Sequence, residues 1–199
     1  PDGTSDVRAS IGGEPIDTAA SADWFLLRAY SATRTLPGNQ HDPTVPLRID
    51  NMFDSTAPLI DAEEWLLGLP LAQFNTVAAT LNKLFDADTT GLDDPARRTD
   101  EERLQRVTDD RGDVEIQIDG RPLAMVSDGY RAVVNLYCDI MAAAAAADTT
   151  DMRLARGIVL IDEIGAHLHP RWRMKISSLL RREFRNIQIV VSTHEPLCL

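Results

Sequence analysis

The chain has 199 residues, of which 44% are hydrophobic and 26% are charged, and this composition is close to the average for soluble globular domains. A disordered polymer is therefore excluded. The formal net charge of −11 should repel a nucleic-acid backbone, so a DNA contact would need a local basic patch or a part of the protein outside this sequence. Because no apolar run has the length of a membrane span and the N-terminus has no signal-peptide pattern, we expect a cytoplasmic protein without a membrane partner.

The N-terminal segment predicts one strand between two loops. Residues 1–22 are rich in Gly, Ser, Asp and Ala and have no hydrophobic period, which is typical of a loop. Residues 24–30 are a short apolar run and predict a buried strand. Three prolines and a Gly-Asn pair over residues 35–50 predict a connecting loop.

Two helices are expected next. Asp61 can cap a helix that ends at Gly68 and Pro70. Apolar side chains at helical spacing predict a second helix over residues 71–85. Residues 86–100 are acidic and broken by glycine and proline, so they predict an exposed loop.

The last third of the chain has the pattern of a parallel α/β sheet. An Asp-Gly pair predicts a hairpin after the strand at 114–119. Helix and uninterrupted apolar strand then alternate, as in a sheet whose strands are buried on both faces. The predicted elements are a hairpin return over 122–125, a helix over 127–147, a strand over 157–161, a helix over 170–184 and a strand over 187–191.

Side chains capable of chemistry follow the last two strands. Asp162 and Glu163 come directly after one strand, and His194 closely follows the next. Open α/β sheets bind ligands at the carboxyl ends of their strands. A carboxylate there can hold Mg²⁺, a neighbouring carboxylate can deprotonate a water, and a histidine can donate a hydrogen bond to a phosphate.

The start of the helix at 127–147 is a candidate anion site. Ser127 is a natural N-cap, and Gly129 allows a ligand to approach the first turn closely. Free backbone N–H groups at a helix N-terminus favour an anion such as phosphate.

Three segments of the chain together resemble three motifs of ABC-type ATPases. They are Ser127-Asp128-Gly129-Tyr130-Arg131, the Asp162–Pro170 segment and Ser192-Thr193-His194. The three motifs are the signature motif, the Walker B strand and the switch-histidine loop. The residues of these segments are similar to those of the RecF- and OLD-like branch and its bacterial AAA-family relatives. In that branch the Walker B segment is followed directly by a His-Leu-His-Pro sequence.

The resemblance implies a P-loop NTPase fold, an α/β lobe whose mainly parallel sheet is flanked by helices and carries a helical insert. It divides the chain into residues 1–60 as a partial N-terminal part, residues 61–110 as the insert and residues 111–199 as the catalytic core. The Tyr30–Arg34 segment resembles a strand-end Tyr-Gly-x-x-Arg sequence of the same ATPases. This resemblance would allow Arg34 to lie near the nucleotide, although we expect it to be a surface arginine.

The resemblance also implies the site residues. Asp162 would bind Mg²⁺, Glu163 would polarise the hydrolytic water, and His194 would contact the γ-phosphate of ATP. Ser127, Asp128 and Gly129 would engage ATP held by a second protomer, which implies a homodimer or higher oligomer with composite sites. His169 falls at the D-loop position, whereas Gly165, Ala166 and Glu195 depart from the usual residues. The implied function is ATP hydrolysis that drives a nuclease or other effector in DNA processing, repair or anti-phage defence.

No Gly-x-x-x-x-Gly-Lys-Ser/Thr motif occurs in the sequence. This P-loop supplies the backbone cradle and the lysine that hold nucleotide phosphates. We therefore expect the chain to be a portion of a longer ATPase and to be nearly inactive alone.

Two other functions remain open. His167, His169, Asp162 and His194 could form the ligand set of a metal-dependent hydrolase. Alternatively, the lobe could be a non-catalytic scaffold that binds nucleotide only as a switch.

Overall fold

A four-stranded parallel sheet organises the fold. The computed structural model describes residues 10–11, 14–15, 25–34, 47–54, 57, 59–86, 103–108, 112–146, 154–166, 168 and 170–198. The strands of this sheet, in spatial order, are β4 (Leu47–Arg48), β3 (Phe25–Tyr30), β8 (Arg156–Ile161) and β9 (Ile187–Val191). Every neighbouring pair is parallel.

The register of this sheet aligns the ends of three strands. Tyr30 lies opposite Ile161 across the β3–β8 pair, and Ile161 lies opposite Val191 across the β8–β9 pair. The residues that follow these three strands therefore meet at one edge of the sheet. The strands predicted over 24–30, 157–161 and 187–191 are confirmed, although Trp24 lies outside the described residues.

A second, antiparallel sheet contains β5 (Leu104–Thr108), β6 (Val114–Ile118) and β7 (Arg121–Pro122). Asp119 and Gly120 have φ values of 52° and 74°, so the predicted Asp-Gly hairpin is confirmed. The return strand, Arg121–Pro122, is shorter than the predicted 122–125, because Leu123–Met125 is a 3-10 turn. Pro122 has no N–H to donate to a ladder, which ends the pairing.

Three strand pairings were not predicted. Two of them join β4 to β3 and β5 to β6, because neither the two-residue β4 nor β5 shows a clear hydrophobic alternation in the sequence. The third pairing joins β1 (Ser10–Ile11) to β2 (Glu14–Pro15) in antiparallel fashion, within the segment predicted to be a loop.

The described part of the chain contains five α-helices: α1 (Asp50–Phe53), α2 (Ala62–Gly68), α3 (Leu71–Asp86), α4 (Asp128–Ala146) and α5 (Pro170–Glu183). The predicted cap is confirmed, because the Asp61 carboxylate accepts from the backbone N–H groups of Glu63 at 2.9 Å and Glu64 at 3.1 Å. No helix in the described part of the chain has both the length and the apolar character of a membrane span.

Helix α4 is deeply enclosed in the core along most of its length. Every residue from Val133 to Ala144 is buried, which is typical of a helix surrounded by other elements. It packs against β3 and against α2 and α3, while α5 packs against β9. The predicted α/β fold, a parallel sheet flanked by helices, is confirmed. The division of the chain at residues 60 and 110 stays a prediction.

Strand β8 is less enclosed than predicted. Gly157, Val159 and Ile161 are buried, but Ile158 and Leu160 are only partly buried. One face of the strand is therefore fully covered and the other is not, which corrects the expectation of burial on both faces.

Candidate functional site at the carboxyl edge of the sheet

The backbone pairing of the sheet continues for one residue beyond the strands. The Asp162 N–H donates to the Tyr30 carbonyl at 2.8 Å, and the Ser192 N–H donates to the Ile161 carbonyl at 3.0 Å. The Ile164 N–H then donates to the Ser192 carbonyl at 3.1 Å. These bonds fix the loop after β8 against the loop after β9.

The Ser192 hydroxyl joins the two carboxylate residues. It donates a short hydrogen bond to Asp162 Oδ1 and accepts from the Glu163 N–H at 2.9 Å. Asp162 is thereby oriented by a neighbouring strand while it remains partly exposed. The sequence placed Ser192 at the strand end but gave no sign of this bridging position.

Glu163 and His194 form a direct pair. Glu163 Oε2 lies 2.8 Å from His194 Nδ1 and also accepts from the His194 backbone N–H at 3.3 Å. The hydrogen bond with His194 holds the pKa of the Glu163 carboxyl below its ordinary value of 4.5. The same bond, followed by the charge of Glu163, raises the pKa of His194 above 6.5. The structure thus brings together Asp162, Glu163 and His194.

The backbone of Glu163 is in the left-handed region, with φ 48°. A non-glycine residue there costs roughly 1–2 kcal/mol, and such strain is often found at functional sites. Two hydrogen bonds stabilise the conformation, since Ser192 accepts from the Glu163 N–H and Arg34 donates to the Glu163 carbonyl.

Arg34 is not a surface residue, and that expectation was wrong. Its exposure is 5%, and its guanidinium donates to the carbonyl oxygens of Asp162, Glu163, Ile164 and Ala166 at 3.1–3.4 Å. Burial lowers the pKa of Arg34 to about 10, against the opposite effect of the Asp162 and Glu163 charges. The guanidinium therefore stays protonated at neutral pH. A sequence motif alone does not reveal these carbonyl contacts.

Gly165 and Glu195, which depart from the usual residues of the ATPases that the chain resembles, are accommodated by the packing around the site. A Cβ atom on Gly165 would lie 2.8 Å from the sulfur of Cys198, so the small residue makes room for the chain after β9. Glu195 pairs with Arg173 on α5 at 2.6 Å and lies 3.9 Å from His194 Nε2. Glu195 therefore adds negative charge beside the imidazole.

The residues predicted to act across a dimer lie at the start of α4. Ser127 and Asp128 are exposed, Gly129 is partly exposed, and Asp128 pairs with Arg131 one turn along the helix. Within the described ranges, no hydrogen bond or ion pair connects these three residues to Asp162, Glu163 or His194. In the described structure the two groups therefore share no direct polar contact.

His167 lies outside the described residues, and so does His169, the residue predicted to fall at the D-loop position. Among the residues that the structure does describe, no group of three His, Cys, Asp or Glu side chains could hold a metal ion. The four-ligand set of a metal-dependent hydrolase therefore stays a prediction, as does the nucleotide-switch scaffold.

Residues 35–199 match the family model described as "AAA domain, putative AbiEii toxin, Type IV TA system". Because the match covers most of the chain, the chain belongs to this family of AAA ATPase domains. The RecF- and OLD-like branch is not specifically confirmed.

Among relatives, the chain is 33% identical over 183 residues to the Septu protein PtuA of Bacillus mycoides (strain KBAB4), covering 87% of this chain and 23% of that protein. It is 58% identical over 43 residues to the Retron Vc95 probable ATPase of Vibrio cholerae serotype O1 biovar El Tor, covering 22% of this chain and 8% of that protein. The chain thus spans less than a quarter of the length of these relatives.

A solved structure of the SmcHead bound to the C-winged helix domain of ScpA aligns with a TM-score of 0.41 and 18% identity. The alignment covers 64% of this chain and 37% of that one. A likeness at this level says nothing about the site.

Proposed function

We propose that, within the full-length protein, this lobe hydrolyses ATP at the carboxyl edge of its parallel sheet, as an ABC-type ATPase does. The observation that carries the proposal is the convergence of Asp162, Glu163 and His194 from two adjacent strands. Membership of an AAA family and the relative named a probable ATPase support the same reaction.

The donor set at this edge fits Mg²⁺ held jointly by protein and nucleotide. Mg²⁺ in nucleotide enzymes takes one or two carboxylates and completes its shell with phosphates and water. Asp162 offers such a carboxylate, with one oxygen oriented by the Ser192 hydroxyl. Bound there, the ion would neutralise phosphate charge, and Asp162 would hold it.

Glu163 is the proposed general base for the attacking water. Its lowered pKa keeps the carboxylate ionised at neutral pH, so it can accept a hydrogen bond from water and take a proton. In the structure His194 is bonded to the same carboxylate. We infer that His194 turns to the γ-phosphate when ATP binds, which frees Glu163 Oε2 for the water.

A second protomer completes the proposed site. Ser127, Asp128 and Gly129 start a helix whose free N–H groups suit phosphate oxygens, and they have no hydrogen bond or ion pair with Asp162, Glu163 or His194 in the described part of the chain. A head-to-tail dimer would place this helix start of one protomer on the ATP of the other. His169 would lie at the D-loop position of the same interface.

Hydrolysis would drive an effector, such as a nuclease subunit, in DNA processing, repair or defence against phage. The toxin-system description of the family and the Septu and retron relatives favour defence. We propose that the ATPase itself acts in the cytoplasm.

The test is the ATP hydrolysis rate of the native full-length protein and of its Glu163→Gln variant. Because general base catalysis contributes about 10²- to 10⁴-fold, we expect the variant to lose at least about 100-fold in kcat. Glu64→Gln is the matched control, since Glu64 is an exposed carboxylate in the first turn of α2. Equal rates for Glu163→Gln and the native protein would overturn the proposal, and equal rates at the uncatalysed background would support a non-catalytic switch.

A further inference from the structure

Arg34 contacts the backbone of the catalytic loop rather than its side chains. The residue lies four positions after the end of β3 and is buried. Nη1 donates to the Asp162 carbonyl at 3.2 Å. Nη2 lies 3.2, 3.4 and 3.1 Å from the carbonyl oxygens of Glu163, Ile164 and Ala166.

These carbonyl oxygens all face one guanidinium, so the loop curves around a buried positive charge. Turning the carbonyls inward fixes the backbone dihedrals of the loop and thereby the direction of its side chains. The effect is largest at Glu163, because its φ of 48° is unfavourable for a residue with a Cβ atom. Without Arg34, the loop would lose a main stabilising contact of that conformation.

We propose that Arg34 is a positioning residue, which holds Glu163 in the left-handed conformation that aims its carboxylate at the hydrolytic water. This inference rests on the proposed ATPase function. It assigns Arg34 no contact with ATP, so its loss should lower kcat more than it weakens ATP binding.

Lysine is the informative substitution. It keeps the positive charge, but its single nitrogen cannot reproduce a planar fork that reaches several carbonyls. A misplacement of about 1 Å at a reacting group can cost about 100-fold in rate. In the full-length native protein, we expect Arg34→Lys to lower kcat by about 10- to 100-fold and to change KM for ATP by less than about threefold.

Arg28→Lys is the matched control. Arg28 is also a buried arginine of the β3 region, but it lies 3.5 Å from Asp139 of α4 and makes no hydrogen bond to the 162–166 loop in the described structure. We expect this variant to lower the melting temperature while kcat stays within about threefold of the native value.

A double variant separates positioning from a general structural role. If Arg34 acts through Glu163, Arg34→Lys should add less than about twofold to the rate loss in the Glu163→Gln background, because residues that act as a unit are non-additive. Full multiplication of the two losses would overturn the proposal, as would an Arg34→Lys kcat equal to that of the native protein.

Two other outcomes have distinct meanings. If Glu163→Gln hydrolyses ATP normally, the proposed function fails and the inference fails with it. If Glu163→Gln is inactive and Arg34→Lys is fully active, only the inference fails. Should Arg34→Lys not fold, Arg34→Gln takes its place, and failure of both to fold would make Arg34 a structural residue and overturn the proposal.

Discussion

At the scale of single residues, the Glu163–His194 pair is the central feature of the site. The bond of 2.8 Å between the carboxylate and the imidazole lowers the pKa of one partner and raises the pKa of the other. Both groups are therefore charged over a wider pH range than either would be alone. The imidazole remains largely exposed, at 77% of its side chain, so it is free to turn to a ligand.

The pH dependence follows from these directions. Because the folded pKa of His194 is raised, its part of the pairing is fully present below about 6.5 and is lost as pH rises through the raised value. Because the folded pKa of Glu163 is lowered, its part is present above about 4.5 and is lost as pH falls through the lowered value. The Glu163–His194 pair thus contributes most to the stability of the fold between about pH 4.5 and about pH 6.5, the ordinary pKa values of the two groups.

NMR titration of the His194 ring measures this directly in the native protein. We expect a pKa above 6.5, the ordinary value, and a return toward 6.5 in Glu163→Gln. Glu195→Gln should lower the His194 pKa less, because Glu195 is 3.9 Å away and the hydrogen bond is to Glu163. An unchanged His194 pKa in Glu163→Gln would show that the pair does not form in solution.

At the scale of elements, a buried polar group joins the central sheet to α4. The Tyr30 hydroxyl donates to Asp139 Oδ2 at 2.7 Å, and Arg28 lies 3.5 Å from the same oxygen. Asp139 also accepts from the Ile60 N–H at 3.3 Å. The strand that ends at the site is therefore tied to α4, the helix that begins at Asp128.

Two tyrosine substitutions test this connection. Tyr30→Phe removes a buried bond to a carboxylate and should lower the free energy of unfolding by about 1.5–3 kcal/mol. Tyr137→Phe is its control, because the buried Tyr137 hydroxyl has no hydrogen-bond partner among the described residues, so its removal should be nearly neutral or stabilising. Urea denaturation measures both, and equal losses would contradict the assignment.

Close packing of β3 on β8 gives a second prediction at this scale. A Cβ atom on Gly157 would lie 2.0 Å from the carbonyl oxygen of Leu26, which is backbone and cannot move aside cheaply. Gly157→Ala should therefore cost about 1–3 kcal/mol or more. Gly68→Ala, whose added Cβ atom would meet no atom of the described residues within 4 Å apart from its own helix backbone and chain neighbours, should not destabilise, and the same denaturation experiment compares them.

At the scale of the whole molecule, the sequence predicted the parallel sheet and the meeting of Asp162, Glu163 and His194. Long apolar runs identify strands, and parallel strands end at a common edge. It could not predict that the Ser192 hydroxyl joins the Asp162 carboxylate to the Glu163 backbone N–H, because a single hydroxyl has no periodic signal. Nor could it predict the burial of Arg34, which depends on carbonyls more than a hundred residues further along the chain.

Contacts between distant parts of the chain also explain why strand β5 was not predicted. Strand β5 alternates only weakly, with one fully buried residue, Leu104, and it is stabilised by its pairing with β6. Such tertiary pairing overrides local propensity. The sequence could name candidate residues at strand ends, but the contacts that orient them had to be read from the structure.

Glu163 is proposed to activate the water that cleaves ATP bound at this edge of the sheet. The most direct measurement is the identity of the nucleotide retained by the full-length Glu163→Gln variant after incubation with Mg²⁺ and ATP and rapid gel filtration. We expect the variant to retain uncleaved ATP, whereas the native protein should retain ADP or no nucleotide. If the variant retained ADP to the same extent as the native protein, this role of Glu163 would be contradicted.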